Sequence, residues 1–386
     1  MKTANNLLSG LGTTIFTVMS ALAVEHQAIN LGQGYPDTEG PRDVLEHAAA
    51  ALLTHSNQYP PLTGLLELRQ AVSAINRRFY GLEIDPLTEV VVTSGGTEAL
   101  AASLIALLNP GDEVVLFEPL YDTYLPVIRL LGATPRIVRL NPPDWGLPEP
   151  ALRAAFSPRT KLVLLNNPMN PTGKLFSSRE LTLIAELMLQ HDAYAICDEV
   201  YEHLVFDNLR HIPLMTLPNM RDRTIRIGSA GKTFSLTGWK IGYATAPAAL
   251  ATLIAKAHQN LTFTSPPNLQ RAVAYGLAKD DAYFADFAHT LARKRDRLRT
   301  GLTNAGLPCL PSSGSYFVIA DISGLEFAGD DQAFCRHITE TAKVTAIPLS
   351  AFYDQPGAPT NLVRFAFCKQ DHVLDEAVAR LSRLRS

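Results

Sequence analysis

Ser229-Ala230-Gly231-Lys232-Thr233-Phe234-Ser235-Leu236-Thr237-Gly238-Trp239-Lys240 sets two lysines eight residues apart among small and hydroxyl residues. It follows directly on residues 224–228, an apolar segment with the composition of a strand. A charge at the end of a buried strand is costly to desolvate unless it has a partner or a task. An amine in that position can attack a carbonyl, and a second cation beside it can hold a phosphate.

Upstream and downstream of this run the chain alternates two periods. Residues 89–93, 113–117, 134–139, 161–166, 193–197, 224–228 and 241–246 are short and rich in Val, Ile, Leu or Tyr, which predicts strands. Helical patterns over 97–108, 122–131 and 178–190 separate several of them. Strands alternating with helices predict right-handed crossovers and a mostly parallel sheet covered on both faces. Helices are expected over 42–53 and 64–80 before this region, and over 248–260, 267–278 and 281–304 after it. Strands near 315–321, 343–347 and 361–367, with helices over 331–341 and 371–384, make a smaller α/β unit. The charged run Arg293-Lys294-Arg295-Asp296-Arg297 is read as the solvated face of a helix bridging two domains. The expected division is an N-terminal arm (1–42) shared with the small domain, a large domain (43–280) and a small domain (281–386).

With 386 residues, 47% hydrophobic and 18% charged, and a formal net charge of -3, the chain has an ordinary globular composition. That balance argues against nucleic acid or a membrane as a partner. Cys197, Cys309, Cys335 and Cys368 are dispersed without a CxxC pair, which points to a reducing, cytoplasmic setting. The apolar stretch 11–24 is interrupted by Gly12, Thr13, Thr14, Thr17 and Ser20 and does not make a signal sequence.

Ligands collect at the carboxyl ends of strands in open α/β sheets, so the residues after each strand carry the functional reading. After 89–93 come Ser94-Gly95-Gly96-Thr97, a small-residue turn opening a helix, suited to an anion or to close packing. After 113–117 comes Tyr121, which can lie on a planar heterocycle or simply fill core. After 161–166 come two Asn-Pro steps around Asn170, whose amide can donate to an oxygen or serve a plain turn. After 193–197 comes Asp198, followed by Glu199-Val200-Tyr201. An acid there can face a pyridinium N–H, cap a helix or pair with a base. Together with Lys232 these groups satisfy one cofactor, pyridoxal 5′-phosphate, an aldehyde that carries a phosphate. Gly231-Lys232-Thr233 does not close a nucleotide loop, because Arg226 stands where GxxxxGK[ST] needs glycine. No histidine motif suggests a metal.

Asn166-Asn167-Pro168-Met169-Asn170-Pro171-Thr172-Gly173, Asp198-Glu199-Val200-Tyr201 and Ser229-Ala230-Gly231-Lys232-Thr233 occur here in order. In them the chain resembles the class I/II aminotransferases, pyridoxal phosphate enzymes of fold type I, over essentially its whole length. Gly12-Thr13-Thr14-Ile15-Phe16, Asn30-Leu31-Gly32-Gln33-Gly34-Tyr35-Pro36-Asp37 and Thr237-Gly238-Trp239-Lys240 bring it nearest to methionine aminotransferases and kynurenine–oxoglutarate or glutamine transaminases.

The resemblance implies roles residue by residue. Lys232 is the amine that holds the cofactor and shuttles the substrate proton. Asp198 pairs with the pyridine nitrogen, and Tyr201 and Asn170 bond its 3′-oxygen. Tyr121 stacks on the ring. Gly95, Gly96, Thr97, Ser229 and Lys240 hold the phosphate, joined by Tyr59 from across a homodimer interface. Arg364, with Gly34 and Asn170, takes the substrate α-carboxylate. Phe16, Tyr35 and the partner subunit's Phe263 wall the side-chain pocket. Aspartate-specific relatives carry a further arginine that is not identifiable here. The expected reaction is therefore ping-pong transamination between a methionine-like, aromatic or glutamine-like amino acid and a 2-oxo acid. The same lysine also supports a C–S β-lyase acting on cysteine conjugates or cystathionine. A non-catalytic cofactor-binding regulator is a third reading, disfavoured because no DNA-binding segment precedes the aminotransferase-like sequence.

Overall fold

The β-branched runs are strands of one sheet. The structure, a computed structural model, describes residues 2–385. After a two-residue strand β1 (Ile29–Asn30) come β2 (Val90–Ser94), β3 (Glu113–Glu118), β4 (Thr134–Arg139), β5 (Thr160–Asn166), β6 (Tyr194–Asp198), β7 (Thr224–Ser229) and β8 (Ile241–Thr245). Strands β2 to β8 form a seven-stranded sheet in the order β2-β8-β7-β6-β5-β3-β4. Its pairings are parallel except those of β8, which runs antiparallel to both β7 and β2.

Strand alternation sends successive side chains to opposite faces. Val115 and Phe117 of β3, Val163 and Leu165 of β5, and Ala195 and Cys197 of β6 enter one core. Their neighbours Val114, Leu116, Leu162, Leu164 and Ile196 enter another, against the helices Gly95–Leu107 and Ala248–Leu261. Both faces are dry, so the strands read as near-continuous apolar runs. The helix Ser178–Gln190 begins with a capping box, in which Ser177 Oγ accepts from the Glu180 amide and Glu180 accepts from the Ser177 amide.

The late strands are β9 (Phe317–Asp321), β10 (Val344–Thr345), β11 (Ile347–Pro348) and β12 (Leu362–Ala366). The single strand expected over 343–347 is divided at Ala346: β10 pairs with β1, whereas β11 joins the antiparallel sheet β11-β12-β9. The interrupted apolar stretch near the N-terminus is a helix, Ile15–Glu25, capped by Thr14 and burying Met19 and Ala23. The helix Asp281–Asn304 corrects one expectation. Arg293, Asp296 and Arg297 are exposed, but Arg295 is buried, donating to both Asp207 oxygens at 2.6 and 2.7 Å and to the Ser312 carbonyl at 2.9 Å. Among the described residues no helix is long and apolar enough to cross a membrane, and no cluster of His, Cys, Asp or Glu is arranged to hold a metal.

Candidate active site

The parallel strands deliver their carboxyl ends to one edge of the sheet. Asn166 of β5 is in register with Asp198 of β6, and Ser229 of β7 with Gly242 of β8. Because β8 runs the other way, it starts at that edge, with Ile241 beside Ser94. Lys240, just before β8, therefore returns to the turn where Gly95 opens its helix. Gly95 has φ +77°, and a Cβ there would stand 3.1 Å from Lys240 Cε and 3.2 Å from its Nζ. Gly242 packs its backbone on the same turn, and a Cβ there would come within 2.5 Å of the Gly95 carbonyl carbon. Ser94 does not cap this helix with its side chain, which leaves the first amides to another acceptor.

A cavity of about 480 Å³ opens along the edge. Gly95, Gly96, Thr97, Ser229 and Lys240 line one end of it. Tyr121, Asn170, Asp198, Tyr201 and Lys232 line its middle, and Phe16, Gly34, Tyr35 and Arg364 line it as well. Tyr59 and Phe263 are not among its walls. They meet edge to face at 5.2 Å, with Tyr59 81% and Phe263 43% exposed.

Lys232 sits in the one-turn helix Ala230–Thr233 that follows β7. Its amine donates to the Tyr316 hydroxyl at 2.8 Å and to the Gly34 carbonyl at 3.3 Å. Burial lowers its pKa to about 8; Cys368 and Asp198 oppose the shift, and Lys240 and Arg364 add to it. Asp198 accepts from the Tyr124 hydroxyl at 2.6 Å and weakly from the Val200 amide at 3.4 Å. Burial raises its carboxyl pKa, against the Tyr124 bond. Among the described residues it has no cationic salt-bridge partner, and it lines the cavity.

Arg364 lies in the middle of β12 and is 1% exposed. It donates to Asn170 Oδ1 at 2.7 Å and to the Gly32 carbonyl at 2.6 Å, and its Nε is left without a partner. Phe16, Phe317 and Phe352 surround the guanidinium at 5.1, 4.0 and 4.9 Å from their ring centroids. Burial brings its pKa down to about 10. Among the described residues no carboxylate forms an ion pair with this guanidinium, and only Asp122 in the cavity wall bears on it as an acid, so it can take an anion from the cavity. Asn170 is held in turn by its amide, which donates to Asn166 Oδ1 at 2.7 Å.

Sequence reasoning missed four contributors. Tyr124 holds Asp198, Tyr316 holds Lys232, Phe317 faces Arg364, and Asp122 lines the cavity with its carboxyl pKa raised by burial. Tyr124 lies three residues beyond Tyr121 and opens the helix Tyr124–Leu130. Tyr316 gives no local signal. Arg226, which stands where a nucleotide loop needs glycine, is buried in β7. It pairs with Glu199 at 2.5 Å and Glu202 at 2.8 Å and stacks on Tyr80 at 4.7 Å. Burial alone would lower its pKa, but the two carboxylates hold it above its usual value.

The donor set fits pyridoxal phosphate: an anion cradle of glycines and a lysine, an aromatic ring in the wall, a half-buried acid held by a phenol, and an amine whose pKa is lowered to about 8. The sequence profile of the aminotransferase class I and II family matches residues 26–381. The chain is 46% identical over 382 residues to the probable N-succinyldiaminopimelate aminotransferase of Mycobacterium tuberculosis, covering 96% of each. It is 40% identical over 377 residues to methionine aminotransferase of Escherichia coli, covering 98% of this chain and 97% of that one. The solved structure of N-succinyldiaminopimelate aminotransferase from Mycobacterium tuberculosis superposes with a TM-score of 0.96 over 99% of this chain and 100% of that one.

Proposed function

The chain belongs to the class I and II aminotransferases, and on that footing we propose that it moves the amino group of an L-amino acid with an uncharged side chain, methionine-like, aromatic or glutamine-like, to a 2-oxo acid. The observation that carries the substrate reading is the charge inventory of the cavity. Its cations are Lys232, Lys240 and Arg364, and all three have assigned tasks: the amine, the phosphate and the α-carboxylate. Among the described residues no fourth cation lines the chain's own cavity for a second substrate carboxylate, and an ionised Asp122 in the wall would repel one.

When bound, pyridoxal phosphate supplies an aldehyde for the substrate amine and an electron-withdrawing ring that makes Cα–H acidic. The chain's residues do the rest. Lys232 Nζ, neutral in appreciable fraction near pH 8, accepts the Cα proton and later returns it. Asp198 keeps a proton on the ring nitrogen, with Tyr124 fixing the carboxylate that does so. Asn170 and Tyr201 orient the ring oxygen. Arg364 presents its guanidinium to the α-carboxylate and so sets Cα opposite Lys232. Tyr59 and Phe263, which are exposed and do not line their own cavity, would complete that of a second subunit in a homodimer.

The similarity to an N-succinyldiaminopimelate aminotransferase favours a second reading, in which the substrate is a long acidic amino acid and the cation for its distal carboxylate comes from the second subunit. A half-reaction screen separates the two. The loaded enzyme is mixed singly with methionine, glutamine, phenylalanine, kynurenine, cystathionine and N-succinyl-LL-diaminopimelate, and the cofactor absorbance is followed. Conversion by the neutral set supports the first reading. Conversion by the succinylated compound alone replaces it with the second. Pyruvate from cystathionine without amino transfer would make the enzyme a β-lyase.

A further inference from the structure

Tyr316 is 1% exposed, just before β9, and is not a wall of the cavity. Its hydroxyl lies 2.5 Å from the Gly34 carbonyl and 2.8 Å from Lys232 Nζ. A carbonyl oxygen can only accept, so the single O–H of Tyr316 is committed to Gly34. Toward Lys232 the phenol oxygen can then only accept, and the amine must donate. The second contact of the amine, the Gly34 carbonyl at 3.3 Å, is likewise an acceptor.

A neutral amine has two N–H bonds and one lone pair. The two acceptor oxygens are 2.5 Å apart and so lie on one side of Nζ, with Tyr316 the nearer at 2.8 Å; hydrogens drawn to that side turn the lone pair away from it. We propose that Tyr316 is a positioning residue for Lys232, holding the free amine by its hydrogens so that its lone pair faces the cavity whenever the lysine is not covalently engaged. The hydroxyl is itself held, because Gly34 takes its proton, and the Tyr316 ring is fixed edge-on against the Tyr201 ring at 5.1 Å. The groups that bear electrostatically on the amine are Asp198, Cys368, Lys240 and Arg364, and none of them donates to or accepts from it. Orientation therefore falls to Tyr316 and Gly34.

The inference rests on Lys232 being the reactive amine, and the experiment separates the two statements. Cofactor-free protein is treated with propionaldehyde, cyanoborohydride serving as hydride source, and alkylation of Lys232 is followed by peptide mass spectrometry from pH 6 to 10. In the native chain the rate rises to a plateau as the amine loses its proton. In Tyr316→Phe the plateau itself falls about ten-fold, the scale of one lost orienting hydrogen bond. A role confined to folding or to titration would leave the plateau in place. In the loaded enzyme the same variant loses a similar factor in kcat, with KM for the amino acid little changed. Incorporating 3-fluorotyrosine at 316 keeps the shape, weakens the oxygen as an acceptor, and moves the plateau the same way by a smaller factor. An unchanged plateau in either variant overturns the inference. No selective modification of Lys232 in the native chain overturns the reading of Lys232 itself.

Discussion

The Tyr124 hydroxyl donates to Asp198 at 2.6 Å, from the helix after β3 to the last residue of β6. The bond stabilises the ionised form of an acid whose burial favours the neutral one. Replacing Tyr124 with Phe removes the only side-chain donor to Asp198 among the described residues. The Asp198 carboxyl then titrates at higher pH, and the acid limb of the kcat/KM profile moves up with it. Cofactor affinity should fall about ten-fold, the scale of one charge-assisted hydrogen bond. Equilibrium dialysis and a pH–rate profile check both.

Lys232 carries a stability consequence of the opposite kind to a salt bridge. Its folded pKa of about 8 lies below the unfolded value of 10.5, so the unfolded chain binds the extra proton. The burden is fully present below pH 8 and is relieved as pH rises from about 8 to 10.5. Cofactor-free Lys232→Ala should therefore melt above the native chain at pH 7, with the gap closing by pH 10. Its turnover should fall by at least about a thousand-fold. Thermal scans across pH test the first statement, and product formation the second.

Arg364→Lys keeps the charge but loses the planar fork and its grip on Asn170 and Gly32. We expect kcat/KM to fall about a hundred-fold for every amino acid alike, because the α-carboxylate is common to all of them, with the bound cofactor's absorbance unchanged. A loss confined to one side-chain class would assign Arg364 to the specificity pocket instead.

Arg226→Met should destabilise the fold by about 3–5 kcal/mol, since it leaves Glu199 and Glu202 buried together without their cation. Urea denaturation measures this. Replacing all three with apolar residues of similar volume should recover most of the loss.

What the sequence makes legible is whatever a strand end announces locally. Lys232, Asp198, Asn170 and the Gly95 turn each follow an apolar run, and the sheet brings all of them to one cavity. Pairing direction is not local. Residues 241–246 read as one more strand, and only the fold reveals that β8 is antiparallel and so returns Lys240 to Gly95. Tyr316 is illegible for a related reason. Its partners lie 84 and 282 residues away, and no spacing connects them. Arg295 escapes because a charged run on a helix surface looks the same whether or not one member turns inward.

The contact between Gly242 and Gly95 has a consequence for how such a site can diversify. Backbone lies against backbone there, so any side chain at Gly242 would have to displace the turn that cradles the anion. That end of the cavity is closed to stepwise change. At the other end Phe16, Tyr35 and Asp122 are ordinary side chains that can be exchanged one at a time. New substrates can be acquired there while the cofactor's seat stays fixed, so the cavity is frozen at one end and evolvable at the other.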